Sequence, residues 1–175
     1  PKMVPCQLEL GGKDPLYVTD DVVDIAGIAA GTADGAFYNN GQSCCSVERI
    51  YVHEKVYDEY IAAFVKEVQS WKVGSPNEDV YIGAITRKPQ LEFVESQVKD
   101  AVAKGAKVLT GGKRVEGRGY FFEPTVLADV NHSMSVMREE SFGPIIGIQK
   151  VSSDEEATQL MNDTEYGLTS SVYCA

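Results

Sequence analysis

A chain of 175 residues, 43% hydrophobic and 24% charged, is long enough to bury its own core and ordinary in composition for a globular protein. Its net charge of −10 repels phosphate backbones and anionic lipid, which argues against nucleic acid and membrane surfaces as partners. No apolar run approaches the roughly 20 residues that span a bilayer, and no secretory leader is visible. The four cysteines, Cys6, Cys44, Cys45 and Cys174, form no Cys-x-x-Cys pair, and His53 and His132 lie far from them in sequence, which argues against a metal site. They read as reduced thiols of an intracellular protein, with cytoplasmic location the expectation. Cys6 and Cys174 are expected in the core. The chain opens at Pro1 and stops at Ala175 inside a strand pattern, so both ends are expected to be cut from something longer.

Taken in order, Leu16, Tyr17 and Val18 predict a short strand. Asp20 or Asp21 can cap a helix reaching about Phe37, with Val22, Ile25, Ala26, Ala29, Ala33 and Ala36 at helical spacing. Asn39-Asn40-Gly41 breaks that helix. A strand over 47–52 and a helix over 55–73 follow, the latter placing Val56, Tyr60, Phe64, Val65 and Val68 on one side. Pro89 opens a helix that stops at Gly105. Strands are predicted over 107–110, within 121–130, over 145–151 and over 169–175, with a helix capped by Asp154 running to about Asn162. Residues 113–119 read as a polar, glycine-rich surface loop. Strands alternating with helices predict one α/β domain, a three-layer αβα sandwich around a largely parallel sheet.

Three segments carry chemistry. In Gly41-Gln42-Ser43-Cys44-Cys45-Ser46 a thiol sits just past a helix break, where backbone N–H groups can stabilise a thiolate or an oxyanion. Cys44 and Cys45 are both candidates on the residues alone, and a buried structural thiol is the ordinary alternative. Glu9 precedes a Gly11-Gly12 turn, and alternation would place Gln7 and Glu9 opposite Leu8 and Leu10. A carboxylate on so soft a backbone can swing as a base. In Glu140-Ser141-Phe142-Gly143-Pro144 an acid able to accept from sugar hydroxyls stands two residues from an aromatic able to pack on a flat ring. His53 and His132 read as surface or strand-end residues, and Lys13 as support for its loop.

Glu9-Leu10-Gly11-Gly12-Lys13, Gly41-Gln42-Ser43-Cys44 and Glu140-Ser141-Phe142-Gly143-Pro144, in this order, together resemble the aldehyde dehydrogenase superfamily. Glu9 precedes Cys44 by 35 residues and Cys44 precedes Glu140 by 96, and both gaps fit the family pattern. Phe122-Glu123-Pro124-Thr125-Val126 and the Asn162-x-x-x-Tyr166-Gly167-Leu168 string extend the match to the whole chain.

The resemblance implies that residues 1–175 are a catalytic domain, with a Rossmann-like cofactor domain before residue 1, an oligomerisation segment after residue 175, and residues 1–10 at the crossover. It selects Cys44, the second position after Gly-Gln, as nucleophile. The implied reaction oxidises an aldehyde with NAD or NADP, through a thiohemiacetal and a thioester, to a carboxylic acid. Glu9 is then the general base that activates water, and its presence favours release of a free acid over transfer to coenzyme A. Glu140 is implied to hold the nicotinamide-side ribose, Phe142 to pack near the nicotinamide, and the Leu10 carbonyl to contact the carboxamide. A homodimer or homotetramer is the implied assembly. A non-catalytic structural homologue and a cofactor-free thiol esterase are the alternatives.

Overall fold

The computed structural model describes residues 3–175, so residues 1 and 2 of the expected crossover lie outside the described residues. A six-stranded sheet forms the middle layer. Its strands are β1 (Asp14–Val18), β2 (Val47–His53), β3 (Lys107–Thr110), β4 (Thr125–Ala128), β5 (Ile145–Val151) and β6 (Ser171–Tyr173), in the order β3-β4-β5-β2-β1-β6. All neighbours run parallel except β3 against β4. The helices are α1 (Ile25–Phe37), α2 (Glu54–Ser70), α3 (Lys88–Ala103), α4 (Ser135–Arg138) and α5 (Asp154–Asn162).

Strand parity decides the layers. Leu16, Val18, Ile50, Val52, Val126, Ile146 and Ile148 pack with α1 and α2 in one cluster. Tyr17, Tyr51, Leu127, Ile145 and Val151 pack with α3, α4 and α5 in a second. Successive side chains leave a strand on opposite faces, so one sheet supports both cores. This is the expected αβα sandwich. The alanines of α1 bury Ala29, Ala33 and Ala36, as close packing requires.

The boundaries moved where a cap or a stacking contact outweighed periodicity. Helix α1 starts at Ile25 because Asp24, not Asp20 or Asp21, accepts a hydrogen bond from Gly27 N. Val22 is buried ahead of the helix rather than within it. Helix α2 stops at Ser70, since Trp71 turns extended and stacks on Tyr81 with ring centroids 4.2 Å apart. Ser153, rather than Asp154, caps α5 by accepting from Glu156 N. Within 121–130 the strand is only Thr125–Ala128, and α4, four residues long, is too short to show a period.

Two burial expectations fail. Cys6 and Cys174 are exposed, one in the irregular segment before β1 and the other just past the edge strand β6. Residues 3–10 join no strand, and all are exposed, so the alternation around Glu9 separates no buried face from an open one. His53 does close a strand, but is buried there. His132 is held between Tyr51 and Asp163 rather than lying loose on the surface. Among the described residues no helix is long and apolar enough to cross a membrane.

Candidate active site

The cysteine turn is built by an unusual backbone. After α1, Asn39, Asn40 and Gly41 stand at φ of 50°, 65° and 67°. Such left-handed residues are rare outside glycine, and asparagine tolerates them best among the others. At Gly41 no side chain would fit, because a Cβ would meet the Gly143 carbonyl oxygen. Gln42 then pins the turn, its Oε1 accepting from both Thr86 N and Thr86 Oγ1 at 2.8 Å. Ser46 N and Oγ both donate to the Ser43 carbonyl, at 3.1 and 2.8 Å, closing residues 43–46 into a turn. Cys44 is half-buried at its tip and Cys45 is exposed. Their sulfurs lie 3.7 Å apart, both as free thiols. The hydrogen bond with Cys44 pushes the Cys45 thiol up.

The three predicted segments converge. A Cβ on Gly12 would lie 2.4 Å from the Cys44 carbonyl oxygen, so the Gly-Gly loop rests directly on the cysteine turn. Gly12 N donates to Glu140 Oε1 at 2.8 Å, and a Cβ on Gly11 would come within 2.6 Å of Glu140 Oε2. Gly11, at φ +70°, thus leaves a cradle for that carboxylate. Burial pushes the Glu140 carboxyl up, partly offset by the bond from Gly12. Phe142 is half-buried with φ at +46°. Glu9 and Leu10 lie in the exposed segment just before the glycines, and contact with the cysteine turn is made by Gly12. The Glu140 carboxylate, anchored by Gly12 N through Oε1, has further lone pairs with which it could accept from a sugar hydroxyl.

Beneath this surface lie Lys13, read from the sequence as support for its loop, and two charged residues that sequence reasoning passed over, Glu48 and Arg49. Lys13, Glu48 and Arg49 are all buried, at 1%, 3% and 0% exposure. Lys13 Nζ donates to Glu48 Oε2 at 2.7 Å and to Ser141 Oγ at 3.2 Å. Arg49 Nε donates to the Lys13 carbonyl at 3.0 Å. Its guanidinium also donates to the Leu160 and Met161 carbonyls at 3.2 and 3.1 Å, placing a positive charge at the C-terminal end of α5. The available signal was a Glu-Arg pair directly ahead of the apolar run Ile50-Tyr51-Val52. Asp14 accepts from Thr169 N and Oγ1, tying the segment after Tyr166-Gly167-Leu168 to β1. A cleft of about 290 Å³ opens there, lined by Lys13, Asp14, Asn162, Thr164, Tyr166 and Leu168.

Comparison with known proteins places the chain in a family and gives its fold counterparts. The model of the aldehyde dehydrogenase family matches residues 1–175. Lactaldehyde dehydrogenase of Escherichia coli (strain K12) is 42% identical over 168 residues, covering 95% of this chain and 35% of that protein. The chloroplastic betaine aldehyde dehydrogenase of Beta vulgaris is 41% identical over 172 residues, covering 97% of this chain and 34% of that protein. The solved structure of the Escherichia coli lactaldehyde dehydrogenase superposes with a TM-score of 0.91 at 41% identity, over 95% of this chain and 35% of that one. A structure of 3,6-anhydro-L-galactose dehydrogenase in complex with NAP gives 0.91 at 42% identity, over 96% of this chain and 36% of that one. The chain spans about a third of the length of these relatives. On the whole-length family match and this structural agreement, the chain belongs to the aldehyde dehydrogenase family.

Proposed function

We propose that the full-length protein oxidises an aldehyde to a carboxylic acid with NAD or NADP, and that this chain supplies the nucleophile, the base and part of the dinucleotide site. The observation that carries the reading is the packing of the Gly11-Gly12 loop on both the Cys44 carbonyl and the Glu140 carboxylate. It puts a thiol beside groups suited to a ribose.

In this reading the Cys44 thiolate attacks the aldehyde carbon, forming a C–S bond while the carbonyl π electrons move to oxygen. The Cys44 backbone N–H faces the resulting oxyanion. The bound dinucleotide supplies the hydride acceptor. Cys44 retains the acyl group as a thioester. Glu9 takes a proton from water, the hydroxide adds to the acyl carbon, and the C–S bond breaks to return the thiolate and release the acid. Glu9 lies in exposed chain, from which it can swing toward the sulfur. Glu140 accepts from the ribose hydroxyls, Phe142 packs near the nicotinamide, and the Leu10 carbonyl accepts from the carboxamide.

The test compares the full-length wild type with Cys44→Ala and Cys45→Ala, using NAD⁺ and NADP⁺ with short aliphatic, hydroxy and amino aldehydes. Cys44→Ala should abolish turnover while Cys45→Ala keeps it within about threefold, since removing a nucleophile eliminates covalent catalysis and removing its neighbour does not. The opposite pattern, or reduction of neither dinucleotide, would sink the proposal.

A further inference from the structure

Glu48 has no part in the chemistry above, yet it bonds to both of the other segments. It stands four residues after Cys44, in β2, and is 3% exposed. Its Oε2 accepts from Lys13 Nζ at 2.7 Å and from Ser141 N at 2.9 Å, and its Oε1 accepts from Phe142 N at 3.0 Å. Lys13 directly follows Gly12, whose N–H holds Glu140. One carboxylate thus joins the Gly-Gly loop, the strand beyond the cysteine and the Glu-Ser-Phe segment.

Stability alone is a poor account of so buried a pair. Desolvation offsets most of the attraction between buried charges, and apolar replacements are often neutral or better. Burial indeed pushes the Lys13 ammonium down, against the pull of Glu48. What an apolar pair could not do is accept two adjacent backbone N–H groups. Phe142 needs such a partner. Its φ of +46° is a left-handed conformation unfavourable for a non-glycine residue, so neighbouring groups must hold it there. The bond from Phe142 N to Glu48 fixes the peptide at the strained residue.

Resting on the dehydrogenase reading above, we infer that Glu48 is a positioning residue for the dinucleotide. It holds Glu140 and Phe142 in register with Cys44 while touching neither cofactor nor aldehyde. Glu48→Gln replaces one acceptor oxygen by an amide NH₂, which cannot accept from a backbone N–H. Either the Lys13 and Ser141 bonds or the Phe142 bond must then be lost.

The experiment uses full-length wild type, Glu48→Gln and the double variant Lys13→Met/Glu48→Gln, the last removing both buried charges. NADH and NADPH affinity is read by fluorescence titration. The rate of Cys44 alkylation by iodoacetamide without dinucleotide, and the thermal midpoint, are read in parallel. Both variants should lose about tenfold or more in dinucleotide affinity, as supporting contacts to a site commonly do. Alkylation should stay within about threefold, since the cysteine turn keeps its own anchors. In the double variant the midpoint should recover toward wild type while the affinity does not, because no stranded charge remains.

Recovery of wild-type affinity in the double variant would overturn the inference, leaving only a charge pair that steadies the fold. So would Glu48→Gln binding as wild type does, or failure of both variants to fold. A wild type that binds neither dinucleotide would overturn the dehydrogenase reading itself, and this inference with it.

Discussion

One methyl group added at Gly12 should damage the reaction more than the fold. The new Cβ would lie 2.4 Å from the Cys44 carbonyl oxygen and 3.1 Å from Asp14 Oδ1. Ordinary van der Waals contact begins near 3.4 Å, so one of the two backbones must give by about 1 Å. Neither gives easily. Gly12 N is bonded to Glu140, and the cysteine turn is pinned through Gln42 and Ser46. A misplacement of about 1 Å at a reacting group costs on the order of 10²-fold in rate, or about 2.7 kcal/mol in activation free energy. Overpacking of this kind costs about 1–3 kcal/mol in stability. The assay is kcat/KM for aldehyde oxidation by full-length Gly12→Ala, with the Cys44 alkylation rate and thermal midpoint alongside. Gly83→Ala is the control, since a Cβ there meets nothing within 4 Å. It should change stability by no more than about 0.5 kcal/mol. If Gly12→Ala kept kcat/KM within about twofold of wild type, the Gly-Gly loop would not be resting on the cysteine turn and the reasoning would be refuted.

Two further outcomes follow from the core and the charge network. Phe64 is fully buried, with ring centroids 5.8 Å from Tyr60 and 6.4 Å from Phe37. Phe64→Ala should cost about 3–5 kcal/mol, read as a lower urea midpoint, and a cost below about 1 kcal/mol would contradict this packing. Burial holds the His132 imidazolium below its ordinary 6.5, although Asp163 pulls the other way. Near and below that pH the unfolded chain binds more protons at this residue than the folded chain does. Stability from this group is therefore present above the unfolded pKa and falls as the pH drops. His132→Gln should flatten the decline in unfolding free energy between about pH 7.5 and 5.5, as measured by urea titration at each pH. An equally steep decline in the variant would refute it.

Much of the architecture was legible because burial is periodic. The run of alanines in α1 and the apolar stripe of α2 carried the helical period, and 145–151 the short apolar run of a buried strand. The edges of elements were less legible. Asp24 and Ser153 cap the helices for which Asp20 or Asp21 and Asp154 were expected, since all these residue types can cap and only the place where the chain turns selects among them. Cys6 and Cys174 were misjudged for a related reason. Cysteine is usually buried, but here one lies in an irregular exposed segment and the other beyond an edge strand.

Sequence alone determined the alternation of strands and helices, the ordered motifs around Glu9, Cys44 and Glu140, and so the family. Those rest on residue type and short-range spacing, which a linear chain displays openly. Only the tertiary structure decided that Gly12 meets the Cys44 carbonyl, and that Glu48 accepts from Lys13, Ser141 and Phe142. Ser141 is 93 residues from Glu48 in sequence, and they meet because β5 lies beside β2 in the sheet. A charge placed in a central strand must find its partners within hydrogen-bond reach or be costly to bury. Which partners those are depends on the order of the strands, and strand order is a property of the folded sheet.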